Sequence, residues 1–325
     1  MRTWLRASAA LALLLGVAAC TSSTDSGNGA FRVGLLTPGP ISDGGWNASA
    51  YEGLQKIASE LGAEISNVQV STPAEFEQGF RDYAQQGYAL VFGHGFEFQD
   101  PALRVGSEFP ETAFVVSSGS VSAKNVASLR FHLDQATYLA GILAASLSKT
   151  GRAGCVGGIE LPVIQATFDG FVAGAASVKP DFVVATAYTG SFEDVAAARA
   201  ATDAMIAQGA DLVLHNADAA GLGVFQAATA HGILAFGSNR DQSEAAPDTV
   251  LASAVISIPE AFLQVAREVK EKRFQGRVIE EGLANGTISL VMNPRLASRV
   301  PPEVKAKVTE AEEKIRRGEL QVKTK

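Results

Sequence analysis

The stretch FRVGLL, residues 31–36, is followed by SDGGWNAS (residues 42–49) and then by ASAYEGLQKIASELG (residues 48–62). Its apolar run is continuous rather than alternating, as expected of a parallel strand covered on both faces. Tyr51, Leu54, Ile57, Ala58 and Leu61 recur at helical spacing, and Gly62 is placed to stop that helix. Between strand and helix lies a polar, glycine-broken loop holding Trp46, one of only two tryptophans in the chain.

The same rhythm continues downstream. EISNVQV (64–70), PAEFEQGFRDYAQQG (73–87), YALVFGHG (88–95), TAFVVSS (112–118) and NVASLRF (125–131) read as strand, helix and three strands, and LDQATYLAGILAASLSKTG (133–151) reads as a helix. A second series runs through RAGCVGGI (152–159), DFVVATAYTG (181–190), ADLVLHNA (210–217) and ILAFGSN (233–239), with helical patterns between them. Alternation at this spacing predicts an α/β protein with two lobes, each a doubly wound parallel sheet built from right-handed βαβ units. Pieces left over after the second series, TVLASAVISIPEAFLQVAREVKEKRF (249–274) and GTISLVMNP (286–294), suggest that the chain crosses between lobes more than once. The expected division is 31–130 plus 253–284 for the first lobe and 131–252 plus 285–325 for the second.

Residues 1–19 read as a leader. Arg2 and Arg6 precede the apolar ASAALALLLGVAA, too short for a comfortable membrane span, and VAAC ends the run. The ending resembles a bacterial lipobox, which implies cleavage before Cys20, a lipid on its sulfur and a polar tether over 20–30. An ordinary secretory signal or an uncleaved anchor is the plainer alternative. With Cys20 so used, only Cys155 remains, a small apolar-run residue, so no disulfide framework is expected. The remaining body of about 295 residues suits one large or two medium domains. The net charge of −7 gives no basic footprint for nucleic acid.

In open parallel sheets, ligands bind beyond the carboxyl ends of the strands, so two facing lobes would place both sets of loops on one cleft. Those loops and the segment crossing between lobes nominate Asp43, Trp46 and Asn47, His94 and Phe96, Asp134, Phe168, Asn216 and Asp218, and Asn239. Aromatic faces with amide and carboxylate edges suit a flat ring that hydrogen-bonds at its rim. Taken singly, Trp46, Phe96 and Phe168 could equally be packing residues, and His215 and Asp241 could hold local turns. No GxSxG, HExxH or GxxxxGK[ST] pattern occurs, no cysteine–histidine cluster has metal spacing, and GLGVFQ (221–226) lacks the full dinucleotide fingerprint. Neither a cofactor nor a metal is therefore expected.

Stretches from one end of the body to the other carry a resemblance: SDGGWNASAYEGL, VFGHGFEFQDP, FPETAFVV, TYLAGILAA, GGIELPVIQATFDGFVAGA, YTGSFEDVAAA and QGADLVLHNADAAGLGVFQAA, then DQSEAAPDTVLASAV and VPPEVKAKV. The chain resembles the basic membrane protein family of ABC-transporter substrate-binding lipoproteins, whose best-known relatives are purine nucleoside receptors. The resemblance implies a type I periplasmic-binding-protein fold, a purine-type ligand closed between the lobes, a permease as partner and no catalysis. It implies a site outside the cytoplasm on a lipid-anchored protein, with Asp43, Trp46 and Asn47 contacting the ligand and Phe168 as the second-lobe aromatic. The family's nucleoside receptors usually carry an aspartate where Asn239 stands and a lysine where Ile256 stands. Both departures weaken a polyol pocket, so a free base such as adenine is expected over a nucleoside. A nucleoside or sugar receptor, a sensor of the same fold and a nucleoside hydrolase are the rival readings.

Overall fold

The computed structural model describes residues 30–324, so the expected leader, Cys20 and the expected tether lie outside the described residues. Continuous apolar runs became strands of two separate six-stranded sheets. The first half of the chain forms β1 (Arg32–Thr37), α1 (Trp46–Leu61), β2 (Glu64–Gln69), α2 (Pro73–Gln85), β3 (Leu90–His94), α3 (Gln99–Glu108), β4 (Ala113–Ser117) and β5 (Val126–Phe131). These strands lie in the spatial order β5-β4-β3-β1-β2, all parallel. After α4 (Leu133–Leu147), the second series forms β6 (Arg152–Gly157), α5 (Pro162–Val178), β7 (Val183–Tyr188), α6 (Val195–Ala207), β8 (Leu212–Asn216), α7 (Gly221–His231) and β9 (Leu234–Asn239). The order β9-β8-β6-β7 repeats the first sheet's arrangement.

The rest of the chain visits both sheets. β10 (Val250–Ile256) pairs parallel with β9, α8 (Ile258–Lys270) packs on α1, and β11 (Val278–Glu281) pairs parallel with β5 at the edge of the first sheet. β12 (Ile288–Met292) then returns to the second sheet, and α9 (Pro302–Arg316) packs on α4. The expected boundary at 253 falls inside β10, whose pairing with β9 extends to Val255, so this passage to the first layer comes after Ile256. β12 runs antiparallel to β10, where an all-parallel sheet was expected. A short edge strand has no partner on its far side to enforce direction, and mixed edges of this kind are common.

Local chemistry explains the helix starts that face the strand ends. Thr72 and Glu75 form a reciprocal capping box with Pro73 in the first turn of α2. Asp43 accepts from the backbone N–H groups of Gly45, Asn47 and Ala48 at 2.8–2.9 Å, satisfying amides that open α1. α4 and α5 approach closely because glycines stand at their crossing. A Cβ on Gly141, Gly170 or Gly174 would run into the backbone of Phe171, Asp134 or Tyr138. Core clusters fill both sheet layers, with Phe92 stacked on Phe262 at 4.0 Å under the first. Cys155 is a free, fully buried thiol in β6, and burial pushes its pKa well up.

Candidate ligand-binding cleft

A cleft of about 700 Å³ opens where the carboxyl ends of the strands in both sheets meet helix N-termini. The first layer lines it with Asp43, Trp46, Asn47, Phe76, Phe96, Glu97 and Phe131, and the second with Ile164, Phe192, Asn216, Asp218, Asn239 and Ile256. Three residues of its wall, Ser118, Asp218 and Asn239, hold left-handed backbone without being glycine, at φ 56°, 46° and 69°. Such conformations cost on the order of 1–3 kcal/mol and persist where surrounding structure imposes them. All three stand at or just after the ends of β4, β8 and β9, where the chain turns to aim side chains into the cleft.

The first loop is built around Asp43. Its Oδ2 also accepts from Asn47 Nδ2 at 2.9 Å, so the carboxylate takes four N–H groups in all. With its nitrogen committed, Asn47 presents Oδ1 as a buried acceptor that has no protein partner, on a residue only 5% exposed that lines the cleft. A buried amide oxygen left unpaired costs about 1–3 kcal/mol, which a donor on a ligand would recover.

Trp46 follows at the first turn of α1. Its indole stacks on the His94 ring at 4.0 Å and 21°, with the Phe131 ring edge-on at 6.2 Å. His94 is fully buried as the last residue of β3 and does not line the cleft; it backs the tryptophan. Its Nε2 lies 3.0 Å from the Trp46 carbonyl and its Nδ1 2.8 Å from Ser117 Oγ. Burial pulls its pKa down to about 3, so the imidazole is neutral and the ring pair carries no charge.

The second layer supplies a polar chain. Asn239 Nδ2 donates to Asn216 Oδ1 at 3.3 Å and to Asp218 Oδ1 at 3.2 Å, and Asn216 Nδ2 donates to Thr167 Oγ1 at 3.3 Å. Asp218 reaches across to the first layer, where a Cβ on Gly45 would lie 3.5 Å from its Oδ1. Burial raises the Asp218 pKa to about 7, and the carboxylate of Asp43 adds to the effect. Asn239 and the Trp46 backbone N–H oppose it by hydrogen-bonding the charged form. Glu97 is likewise raised by burial.

Besides His94, two expected site residues stand off the wall. Phe168 is 3% exposed, absent from the cleft wall, and packed in the second core with the Tyr188 ring 5.9 Å away. Asp134 is also absent from the wall; it sits in the first turn of α4, 3.6 Å from His132, which in turn pairs with Glu280 on β11 at 2.7 Å. The second-layer aromatic at the cleft is Phe192, in the loop after β7. The loop after β7 was not among the strand ends nominated, although YTGSFED (188–194) follows a strand-like run and carries the ring. Phe131 and Glu97 were also missed; Glu97 lies beside the nominated Phe96, and Phe131 three residues before the nominated Asp134.

Among the described residues, no group of three or more histidine, cysteine, aspartate or glutamate side chains is placed to hold a metal ion, and no helix is long and apolar enough to cross a membrane.

With this geometry, the chain is similar to known proteins along nearly its whole body. A nucleoside-binding protein of an ABC transporter in Lactococcus lactis is 30% identical, over 97% of this chain and 97% of that protein. A purine-binding protein of Brucella abortus is 28% identical over 89% of this chain and 82% of that protein. Among solved structures, a solute-binding protein of an ABC transporter system from Conexibacter woesei superposes with a TM-score of 0.74 at 29% identity, over 91% of this chain and 99% of that one. One from Aeropyrum pernix reaches 0.83 at 23% identity, over 91% and 94%, and supports the fold, that of the type I periplasmic binding proteins. A family model described as ABC transporter substrate-binding protein, PnrA-like, matches residues 30–325, and the chain belongs to that family, the basic membrane proteins.

Proposed function

We propose that this protein captures a purine-type heterocycle in the cleft, the free base in preference to its nucleoside, and hands it to the permease of an ABC importer. The unpartnered Asn47 Oδ1 beside the Trp46 ring carries the reading. One face of the indole rests on His94, leaving the other for a flat ring, while Asn47 takes an amino or ring N–H at the edge. Phe96 and Phe192 close the ring in from the two layers.

The preference for a base rests on Asn239 and Ile256. Asn239 spends its N–H groups on Asn216 and Asp218, and Ile256 presents a hydrocarbon surface. Ribose hydroxyls placed there would meet few free partners. Binding is reversible capture without bond breaking, and lobe closure about the crossings would enclose the ligand. Lipid attachment at Cys20 would hold the protein outside the cytoplasm, beside its permease. The names of the Lactococcus and Brucella relatives agree with a purine or nucleoside ligand.

Calorimetric titration with adenine, adenosine, guanine and guanosine tests the reading. Tighter binding of both nucleosides than of both bases overturns the base preference, and release of free base from a nucleoside overturns the non-catalytic role. A sensor role without transport is the second reading, supported by 30% identity to a Bacillus subtilis transcriptional activator protein over 75% of this chain. Neighbouring permease and ATPase genes would favour transport.

A further inference from the structure

The charged residues of the cleft wall are all acidic. Asp43, Glu97, Glu193 and Asp218 line it, and no lysine, arginine or histidine does. Ile256 puts a hydrocarbon side chain on the wall, and the histidine nearest the site, His94, is neutral and behind the tryptophan. The carboxyls stand on separate loops, and among the described residues no three of them are placed to hold a metal ion.

Their internal partners differ. Asp43 is committed to the amides that open α1, and Glu193 is an exposed rim residue. Asp218 accepts from Asn239 and from the Trp46 backbone N–H, and both it and Glu97 line the cleft with no cation opposite either of them. Five aromatic rings, those of Trp46, Phe76, Phe96, Phe131 and Phe192, line the same space. Rings presenting their faces to a cavity attract positive charge through the ring quadrupole, tryptophan most strongly, and do so best where water is excluded. The free oxygen of Asn47, on a residue nine-tenths buried, asks for a hydrogen-bond donor as well. Rings, carboxyls and a bare acceptor all favour a ligand that is electron-poor and rich in N–H.

We propose that the cleft selects a heteroaromatic cation, a planar purine-sized ring made positive by ring protonation or N-alkylation. This rests on the reading of the cleft as a purine-type site and narrows its ligand class. Neutral bases then bind as weaker analogues, and anionic or phosphorylated purines are rejected, since nothing in the wall compensates their charge.

Two isomers separate charge from size: 1,9-dimethyladenine, which is protonated at neutral pH, and N6,9-dimethyladenine, which is neutral. Calorimetric titration of both, with adenine as a third ligand, should show the cation bound at least about tenfold more tightly than its isomer. In the doubly substituted Glu97→Gln, Asp218→Asn protein, checked for folding by thermal melting, that ratio should fall to within about threefold. Adenine binding combined with equal or tighter binding of the neutral isomer overturns the cation preference and leaves the purine site standing. Failure of all three ligands to bind overturns the purine site together with this inference. A preference that survives the double substitution overturns its assignment to these two carboxyls.

Discussion

Asp43 holds Asn47 by its amide nitrogen at 2.9 Å, and so decides which end of that amide the cleft sees. One carboxylate thereby serves two purposes, closing the start of α1 and fixing an acceptor in the binding wall. Replacing it by alanine frees three backbone N–H groups and lets the Asn47 amide turn. Asp43→Ala should lower stability by about 1–2 kcal/mol and weaken ligand binding roughly tenfold, read by thermal melting and calorimetry. A stability loss with unchanged affinity would remove Asp43 from control of the amide.

Trp46 is a built-in reporter in a protein lacking residues 1–19, because the other tryptophan, Trp4, falls in the segment read as a leader. Stacking a heterocycle on the indole should quench or shift its emission saturably, in step with the calorimetric isotherm. Trp46→Phe should bind severalfold more weakly and Trp46→Ala more than about tenfold. An alanine variant that binds like the parent would take the indole out of the site.

Phe168 and Phe192 should behave oppositely. Phe168→Ala opens a void in the second core and should cost about 3–5 kcal/mol of stability. Phe192→Ala touches the cleft wall and should cost affinity, roughly tenfold, with little change in melting temperature. The comparison reads directly whether binding follows position in the fold or residue type.

The pH dependence has two opposed parts. Asp218 holds its proton in the folded chain up to about pH 7, against 3.8 for a free aspartate, with Asp43 and Glu97 facing it and Asn239 and the Trp46 amide opposing. Folding is therefore disfavoured as pH rises through that window, because the unfolded chain gives up the proton more readily. His94 and His215, lowered by burial to about 3 and 4 from 6.5, act in reverse and cost stability as pH falls below 6.5. Asp218→Asn should leave the acid limb unchanged and make the unliganded protein more stable than the parent at pH 8, with the two converging near pH 4 in melting curves. Parallel curves across the range would show that Asp218 ionises normally.

Much of the architecture was legible because strand burial and helix periodicity write themselves into local composition. FRVGLL is apolar on both faces because β1 is covered on both sides, and the loop after it had to hold polar residues at a strand end. β11 was not legible: VIEE at 278–281 is short, acidic and lies at a sheet edge, where neither continuous burial nor strict alternation is required. Within the cleft, Trp46, Asn47, Asn216, Asp218 and Asn239 were nominated by their place at strand ends, and all line it. His94 was nominated by the same strand-end placement and Phe168 as the second-lobe aromatic the family resemblance implies, and neither ground tells a ring in the wall from a ring behind it. Only packing decides that, and packing depends on residues distant in sequence, as His94 depends on Trp46 and Phe168 on Tyr188.

The three passages of the chain between sheets have a consequence for how the molecule comes to be folded. The first sheet takes its edge strand from residues 278–281, and α1 takes its covering helix from 258–270. A ribosome delivering the chain in order would release the first five strands long before these pieces exist. Until then β5 has an open edge and α1 an uncovered apolar face, both invitations to premature association. The second sheet waits less, since five of its strands are made by residue 256 and only β12 and α9 follow. The half made first is thus the half that must be shielded longest.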